Sequence, residues 1–333
     1  MVEKLSAGAD FLQSKEKRGM DMAKYIGKKI GEFAVVLVVV SILIFFVIRL
    51  SSVDPVAVIL GGKSTSQDII ENTKIKFNLD KPVVEQYILW IKGIFSGDWG
   101  IGYKYQQPVL DLLLARLPVT AGLVAGGTLI SVIVAIPLGV LCAAKKNTWI
   151  DSLTSGISLV LVSVPPFVMS IIMILLLSKY APSFPITGGY ANTAAYFKRI
   201  AFPCIALALP RITLLMRVTR SGMVDQMESN YIKAAIAKGL HPVKVVFKHA
   251  LRNAIMPVLA ILSIQVGGMI VGAVLVENIF SLSGVGSLLV DAINASDYPV
   301  VQDITLLLVF IFLMTSTVVD LLYGLIDPRV RAK

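Results

Sequence analysis

The side chains best suited to acid–base or metal chemistry in this sequence are its two histidines, His241 and His249. Both lie in the stretch YIKAAIAKGLHPVKVVFKHALRNAIMP, residues 231–257. No serine or cysteine is placed beside them as a credible nucleophile, so the pattern does not indicate a hydrolase. A zinc site needs more histidine, cysteine or carboxylate ligands than two histidines eight residues apart. We therefore expect no catalytic residue and no metal site in this chain.

Two glycine-containing segments resemble parts of nucleotide-binding loops. GGKST at 61–65 resembles the end of a phosphate-binding loop, but the full pattern needs a glycine at position 57, which is alanine. GVGSLL at 284–289 lacks the third glycine and the strand–helix setting of a dinucleotide fingerprint, so we predict a turn there. We expect that the chain binds no cofactor and is not an enzyme.

Most of the chain outside the histidine-containing stretch is strongly apolar. The chain is 56% hydrophobic and 16% charged, with a mean hydropathy of +0.79, whereas soluble domains are about 45–50% apolar and about 25% charged. Since about 20 apolar residues cross a bilayer as a helix, the sequence predicts an all-α integral membrane protein with six transmembrane helices. The six apolar runs are 31–50, 119–143, 154–178, 200–219, 256–276 and 304–326.

The distribution of lysine and arginine predicts the orientation of these helices. With the N-terminus in the cytoplasm, the segments inside hold 18 Lys and Arg and the longer segments outside hold 11, as the positive-inside rule requires. We therefore expect a multi-pass protein of the cell membrane with both termini cytoplasmic. The net charge of +10 then reflects membrane topology and contact with lipid, and not nucleic-acid binding.

These assignments divide the chain into five regions. The third is a polar stretch with Pro and Gly punctuation, which we expect to form a small external subdomain. The predicted regions are a cytoplasmic tail 1–29, a first transmembrane helix 30–50, an extracytoplasmic subdomain 51–117, a core 118–326 containing a cytoplasmic loop 220–255, and a cytoplasmic tail 327–333.

Small residues inside the spans have two interpretations. The pairs Gly122/Gly126 and Gly268/Gly272 have the GxxxG spacing that permits close helix packing, although glycine is also frequent in membrane helices generally. The two cysteines lie in or beside spans, so we expect Cys142 and Cys204 to be packing residues and not a disulfide.

The basic stretch in the loop 220–255 reads as two short helices joined at a glycine. We predict a helix over 228–238, a left-handed residue at Gly239, and a second helix that begins at Pro242. On the second helix Lys244, Lys248 and Arg252 share one face, and the apolar residues predicted to cover the opposite face are Val243, Val246, Phe247 and Ala250. Such an elbow could lie on lipid headgroups or dock in a groove of another protein.

The same stretch resembles the signature of permease subunits of ATP-binding-cassette (ABC) importers, specifically the first, B-type permease of oligopeptide and dipeptide systems. The family pattern is Y-x-x-x-A-x-A-K-G-L followed by H-A-L-R-N-A-x-x-P. The matching residues are Tyr231, Ala235, Ala237, Lys238, Gly239, Leu240, His249, Ala250, Leu251, Arg252, Asn253, Ala254 and Pro257. The segments MRVTRSGM, ENIFSLSGVGSLL and DLLYGLIDPRVR resemble further family motifs, whereas Lys233, Ser283 and SSVDP depart from them.

The resemblance implies a type I ABC importer permease fold and a set of partners. These are a homologous second permease, two ATPase subunits that carry ATP and Mg²⁺, and an extracytoplasmic substrate-binding protein. The transport cycle would be alternating access driven by ATP. The elbow would couple the chain to the ATPases through Tyr231, Ala234, Ala235, Lys238, Gly239, Leu240 and His241.

The resemblance leaves the substrate open between short peptides, nickel and oligosaccharides, with peptides as the main expectation. A stand-alone secondary transporter or channel is the competing class, and it would show paired broken helices and buried ionisable residues. In the sequence only Arg211 is clearly in the middle of a span. Because a charged residue there is costly in contact with lipid, we expect Arg211 to face the interior and to line the translocation pathway, or else to form an ion pair with a neighbouring span.

Overall fold

The chain folds as a bundle of α-helices in the computed structural model, which describes residues 2–51, 53–62, 66–184 and 193–326. No β-strand occurs in these ranges, which confirms the predicted all-α class. The helices are α1 Val2–Arg49, α2 Pro55–Ile59, α3 Gln67–Lys76, α4 Val83–Ser96, α5 Val109–Ala144, α6 Trp149–Ser163, α7 Pro166–Tyr180, α8 Thr193–Met227, α9 Asn230–Ala237, α10 Pro242–Lys244, α11 Leu251–Ile279, α12 Val285–Asn294 and α13 Tyr298–Ile326. A π-helical turn, Val245–Ala250, joins α10 to α11.

Five segments of the described chain are long and apolar enough to cross a membrane. They are Lys24–Arg49, Val109–Ala144, Thr193–Met227, Pro242–Ile279 and Tyr298–Leu321. Helices α6 and α7 pass the same test together, and they make the sixth predicted span if the pair counts as one.

The third predicted span, 154–178, is not one straight helix. Helices α6 and α7 meet at 101°, and the break lies at Val164 and Pro165. Val164 is held in the extended conformation that a following proline favours, and neither Pro165 nor Pro166 has an N–H to continue the helix. Mean hydropathy along the run 154–178 gave no sign of this bend, because it carries no information about backbone direction.

Two boundaries in the structure also differ from the predicted ones. Helix α5 begins at Val109 and continues through Pro118, so the core starts inside the region predicted as the subdomain 51–117. Helix α8 extends to Met227 and α11 begins at Leu251, so the connection between these two helices is 228–250 in place of the predicted loop 220–255.

The predicted N-terminal tail is helical, whereas the predicted C-terminal tail is not among the described residues. Helix α1 is continuous from Val2, so the predicted tail 1–29 and first span 30–50 belong to one helix. The predicted C-terminal tail 327–333 lies outside the described residues.

Helices α5, α8 and α11 form the centre of the bundle, and the GxxxG glycines lie where they meet. An added Cβ at Gly122 would clash with the Tyr196 hydroxyl, and one at Gly126 would lie 2.7 Å from the Cys204 sulfur. At Gly272 it would lie 3.0 Å from Leu207. The close-packing interpretation of both GxxxG pairs is therefore confirmed. Cys142 and Cys204 are buried free thiols, as predicted.

The segment between α1 and α5 is anchored to the beginning of α13 by two buried carboxylates. Asp297 accepts hydrogen bonds from the backbone N–H groups of Tyr103 and Lys104, both at 2.8 Å. Asp303 accepts one from the Trp90 indole at 2.7 Å. Burial at this contact raises the pKa of the Tyr103 hydroxyl to about 12. These contacts fix the subdomain on the end of the bundle.

Candidate coupling site

The elbow predicted at Gly239 is present, and its hydrogen bonds explain why it holds one angle. Gly239 has a φ of +76°. Its N–H donates to the Ile236 carbonyl at 2.9 Å, and the Leu240 N–H donates to the Ala235 carbonyl at 3.3 Å. This pair of bonds is the Schellman motif, which satisfies the last carbonyls of α9. Nothing lies within 4 Å of a Cβ built at Gly239, so glycine is required there by backbone conformation and not by crowding.

The second arm of the elbow begins at Pro242 as predicted, but its faces are not the predicted ones. Val245 and Ala250 are 1% and 0% exposed, whereas Val243 and Phe247 are 57% and 58% exposed. The π-helical turn Val245–Ala250 takes one residue more per turn than an α-helix. It therefore rotates the side chains away from the positions that a regular helical period gives, and the predicted apolar face is divided: Ala250 is buried, whereas Val243 and Phe247 are exposed.

A compact apolar cluster fixes both arms to the end of the membrane bundle. Ile232 from α9 is fully buried, and Leu240 and Ala235 pack against the same cluster. The buried members are Val140, Met223, Ile232, Val245, Ala250 and Ala254. Because they come from α5, α8, α9, the π-turn and α11, the elbow packs directly against the ends of these helices.

Tyr231 joins the base of α9 to both neighbouring helices. Its hydroxyl donates to the Gln226 side-chain oxygen at 2.7 Å and accepts from the Asn253 amide at 2.9 Å. Gln226 lies at the end of α8 and Asn253 at the beginning of α11. Tyr231 thus positions the elbow through its hydroxyl while part of its ring stays exposed.

The predicted coupling residues divide between the surface and the interior. Tyr231, Ala234, Lys238, Gly239 and His241 are exposed, whereas Ala235 and Leu240 are half-buried.

Sequence reasoning missed the apolar part of this surface. We call Ile236, Val243 and Phe247 the elbow patch; all three are more than half exposed. Ile236 lies one turn after the buried Ile232 on α9, so helical periodicity alone gave no signal of its exposure.

Two ion pairs lie at the end of the bundle that carries the elbow. Arg220 makes a two-bond contact with Asp151, with both N–O distances at 2.6 Å. Lys146 contacts Glu228 at 2.6 Å and lowers the pKa of that carboxyl group. These pairs connect the region between α5 and α6 to the end of α8, and nothing in the sequence spacing indicated them.

Arg211 lies against α11 and not on the outer surface of the bundle. Its Nη1 donates to the Gln265 side-chain oxygen at 3.1 Å, and Gly268 leaves room for the guanidinium. Its Nε is buried without a partner among the described residues. The contact is with a neutral amide and not with a carboxylate, so the ion-pair alternative finds no support in the described contacts.

GVGSLL at 284–289 begins a helix and is not the turn we expected. Glu277 accepts hydrogen bonds from the Thr120 hydroxyl at 2.6 Å and from the Ser287 N–H at 3.1 Å. The same Thr120 oxygen accepts the Val285 N–H at 2.8 Å. A buried carboxylate and a hydroxyl thus satisfy the first N–H groups of α12, and a Cβ at Gly284 would overlap the Glu277 side chain. In GGKST, Gly61 and Gly62 have positive φ, and 63–65 lies outside the described residues.

Comparison with known proteins places this architecture in a family. The sequence model of the family described as binding-protein-dependent transport system inner membrane component matches residues 135–332. The sequence model of the N-terminal part of such membrane components matches residues 22–124.

Three curated relatives cover almost the whole chain. A probable peptide ABC transporter permease of Sinorhizobium fredii is 34% identical over 93% of this chain and 100% of its own length. A putative peptide transport system permease of Brucella abortus is 36% identical over 93% and 99%, and the dipeptide transport system permease DppB of Escherichia coli is 31% identical over 94% and 100%.

The broken pair α6/α7 and the buried Glu277 and Asp303 show that neither broken helices nor buried ionisable groups separate the two transporter classes here. The family matches do separate them, and they exclude the stand-alone secondary transporter or channel. The chain belongs to the inner-membrane permeases of binding-protein-dependent ABC transport systems.

Proposed function

We propose that this chain forms one half of the translocation pathway of an ABC importer for short peptides and is driven by two separate ATPase subunits. Its relatives are named as peptide and dipeptide permeases, which supports peptides over nickel or oligosaccharides. A homologous second permease supplies the other half of the pathway, and an extracytoplasmic binding protein delivers the peptide. ATP and Mg²⁺ belong to the ATPases.

The observation that carries the coupling role is the elbow patch on a rigid elbow. Ile236, Val243 and Phe247 are exposed on the two arms beside a glycine at φ +76°. Large exposed apolar side chains rimmed by polar residues indicate a surface that another protein covers. Lipid headgroups would favour the Lys244 and Lys248 side chains but would leave Phe247 without an apolar partner.

The movement follows from this anchoring. When ATP binding brings the two ATPases together, a docked elbow moves with them. The buried Ile232 and Val245 then transmit the displacement to α5, α8 and α11, because packed cores shift between arrangements and do not deform freely. The pathway opens alternately to the two sides of the membrane.

The remaining residues have roles consistent with this scheme. Arg211, held beside Gln265, lines the pathway and meets the carboxylate of a passing peptide. The external subdomain faces the binding protein, and both chain termini lie in the cytoplasm, as the lysine and arginine counts indicate.

Purification of the assembled complex tests the proposal. The second permease and two ATPases should co-elute with this chain, and ATP hydrolysis in reconstituted vesicles should rise when the loaded binding protein is added. Uptake should be competed by dipeptides and tripeptides. Competition by Ni²⁺ or by an oligosaccharide, without competition by peptides, would reject the substrate assignment and leave the coupling role intact.

A further inference from the structure

The external subdomain contains a half-open cavity separate from the coupling site. It measures about 570 Å³ and lies between the end of α1, helices α3 and α4, and the beginning of α13. Ligand pockets in proteins occupy about 300–1,000 Å³, so the cavity is large enough for a small organic molecule. Neither the elbow nor Arg211 contributes to it.

One wall of the cavity is the guanidinium of Arg49, which points into the subdomain. It lies over the Phe45 ring, 3.3 Å from the ring centroid. Its Nε and Nη2 donate to Gln86, and its Nη1 donates to Gln302 and to the Phe45 carbonyl. An arginine that only anchored α1 at the membrane surface would extend its side chain to the headgroups.

The contacts of Arg49 leave binding capacity for an anion. A guanidinium has five N–H donors, and the four bonds above use four of them. All the acceptors are neutral, so the positive charge has no carboxylate partner among these contacts. The remaining N–H on Nη2 and the uncompensated charge together suit a carboxylate, which forms the strongest hydrogen bonds with arginine.

The other charged groups of the wall give the cavity a small positive excess. Lys74 and Lys76 line it together with Asp54 and Asp98. Each aspartate already accepts a backbone N–H: Asp54 that of Val56 at 3.0 Å, and Asp98 that of Gly100 at 3.1 Å. With Arg49 the wall carries three cations and two anions, an excess that matches a single negative charge.

The rest of the lining suits the body of a short peptide. Trp90, Trp99, Tyr103 and Tyr298 contribute aromatic walls, which provide large apolar area together with N–H and O–H groups. The geometry points to a binding site for a small carboxylate-bearing molecule of short-peptide size, held by its carboxylate at Arg49 and by its body against the aromatic walls. The choice of peptides as ligand rests on the proposed function; the recognition of a carboxylate does not.

Protection of an engineered cysteine measures occupancy directly. Val83 lines the cavity and is 42% exposed; its neighbour Val84 is 62% exposed and does not line it. Val83→Cys and Val84→Cys therefore form a matched pair on one helix. The two native cysteines are buried, and modification by polyethylene-glycol maleimide is followed as a gel shift of this chain alone. The assembled complex is studied in nanodiscs without binding protein and without ATP.

The expected result is that trialanine slows modification at Val83→Cys and leaves Val84→Cys unchanged. Trialanine amide, which lacks the carboxylate, should need an about tenfold to hundredfold higher concentration, as the loss of a charged hydrogen bond predicts. Arg49→Gln should have the same effect, and Arg49→Lys a smaller one. If Arg49→Gln fails to assemble, the acid and the amide compared on the otherwise native chain still decide the question.

Three outcomes would overturn the proposal. They are no protection by trialanine up to millimolar concentration, equal protection by the acid and the amide, and protection seen only when binding protein is added or only in nanodiscs rich in phosphatidylglycerol. Protection by added binding protein would assign the cavity to an acidic side chain of a docked protein, and protection by phosphatidylglycerol would assign it to a lipid phosphate. Because the trialanine measurement contains neither ATP nor binding protein, its failure would not affect the proposed transport function, which the uptake measurement tests separately.

Discussion

The hydroxyl group of Tyr231 accepts a hydrogen bond from Asn253, 22 residues further along the chain, at 2.9 Å. This bond spans the whole elbow, since Tyr231 begins the first arm and Asn253 follows the second. The hydroxyl also donates to Gln226 at 2.7 Å. The family signature thus contains a hydrogen-bonded junction between the elbow and helices α8 and α11, as well as the glycine between the two arms.

Tyr231→Phe tests this hydrogen-bonded junction. It keeps the ring and removes both hydrogen bonds, which are typically worth about 0.5–1.5 kcal/mol each, and less where water can replace them. We expect normal insertion and ATPase association but weaker stimulation of ATP hydrolysis by the loaded binding protein. Tyr180→Phe, at an exposed tyrosine at the end of α7, is the control. Equal stimulation in both variants would show that the hydroxyl group does not fix the angle of the elbow.

Gly239→Val tests the glycine between the two arms. A side chain at positive φ costs roughly 1–2 kcal/mol, and no neighbour occupies the space, so any loss comes from the changed angle of the elbow. We expect the membrane helices to insert normally while co-purification of the ATPases or coupled uptake falls. Gly156→Val is the matched control, because Gly156 also has open space around its Cβ but no positive φ. Normal assembly and normal coupled transport by Gly239→Val would reject the coupling role.

Phe247→Ala tests the elbow patch. Phe247 is 58% exposed, so its removal should cost the isolated chain little stability. If it docks in an ATPase groove, truncation should weaken ATPase association by about 1–3 kcal/mol, as for a buried aromatic anchor. Lys244→Gln should cost under about 1 kcal/mol. Phe95→Ala, at an 87% exposed phenylalanine of α4, should leave association unchanged. The measurement is the dissociation of the ATPases during dilution of the purified complex.

The elbow shows how far local sequence determines structure. Gly239 permits a left-handed conformation that other residues disfavour, and Pro242 fixes its own φ, so the break between the arms and the start of the second arm were predictable. The π-turn was not, because it brings Val245 and Ala250 onto a cluster that includes Met223 from α8. Side-chain periodicity assumes a regular helix and carries no information about a distant partner.

The same distinction applies to the rest of the chain. Glycine spacing predicted the close contacts of α5 and α11 with α8, since an absent Cβ is a property of the residue itself. The capping of α12 depends on Thr120, 157 residues before Glu277, and could not be read locally. The bend at Pro165 was readable from two consecutive prolines but was masked by the unbroken apolar run.

Arg211→Gln tests the pathway residue. The variant keeps a polar side chain beside Gln265 and removes the charge, so we expect normal assembly. Uptake of tripeptides with a free carboxylate should fall at least about tenfold, as the loss of a charged hydrogen bond predicts. Uptake of the corresponding C-terminal amides should not change. Unchanged uptake of every peptide would remove Arg211 from the pathway and leave it a packing role against Gly268.

Glu277→Ala tests the cap of α12. The carboxylate is fully buried and accepts the Thr120 hydroxyl and the Ser287 N–H. Its removal leaves both donors without this acceptor, and each unsatisfied buried group costs about 1–3 kcal/mol. We expect a lower melting temperature of the purified complex and faster proteolysis between α11 and α12. Glu277→Gln, which keeps an acceptor oxygen, should lie between Glu277→Ala and the native chain.

Glu85→Ala is the matched control for this change. Glu85 is half exposed and pairs with Lys81 at 3.1 Å on the surface of α4, and such pairs are worth under about 1 kcal/mol. Both variants remove one carboxylate, so their difference measures burial and capping and not net charge. If Glu277→Ala melted no lower than Glu85→Ala, the first turn of α12 would hold without its buried cap. The glycines beside Glu277 would then serve backbone packing alone, since Val274 also lies against Gly286.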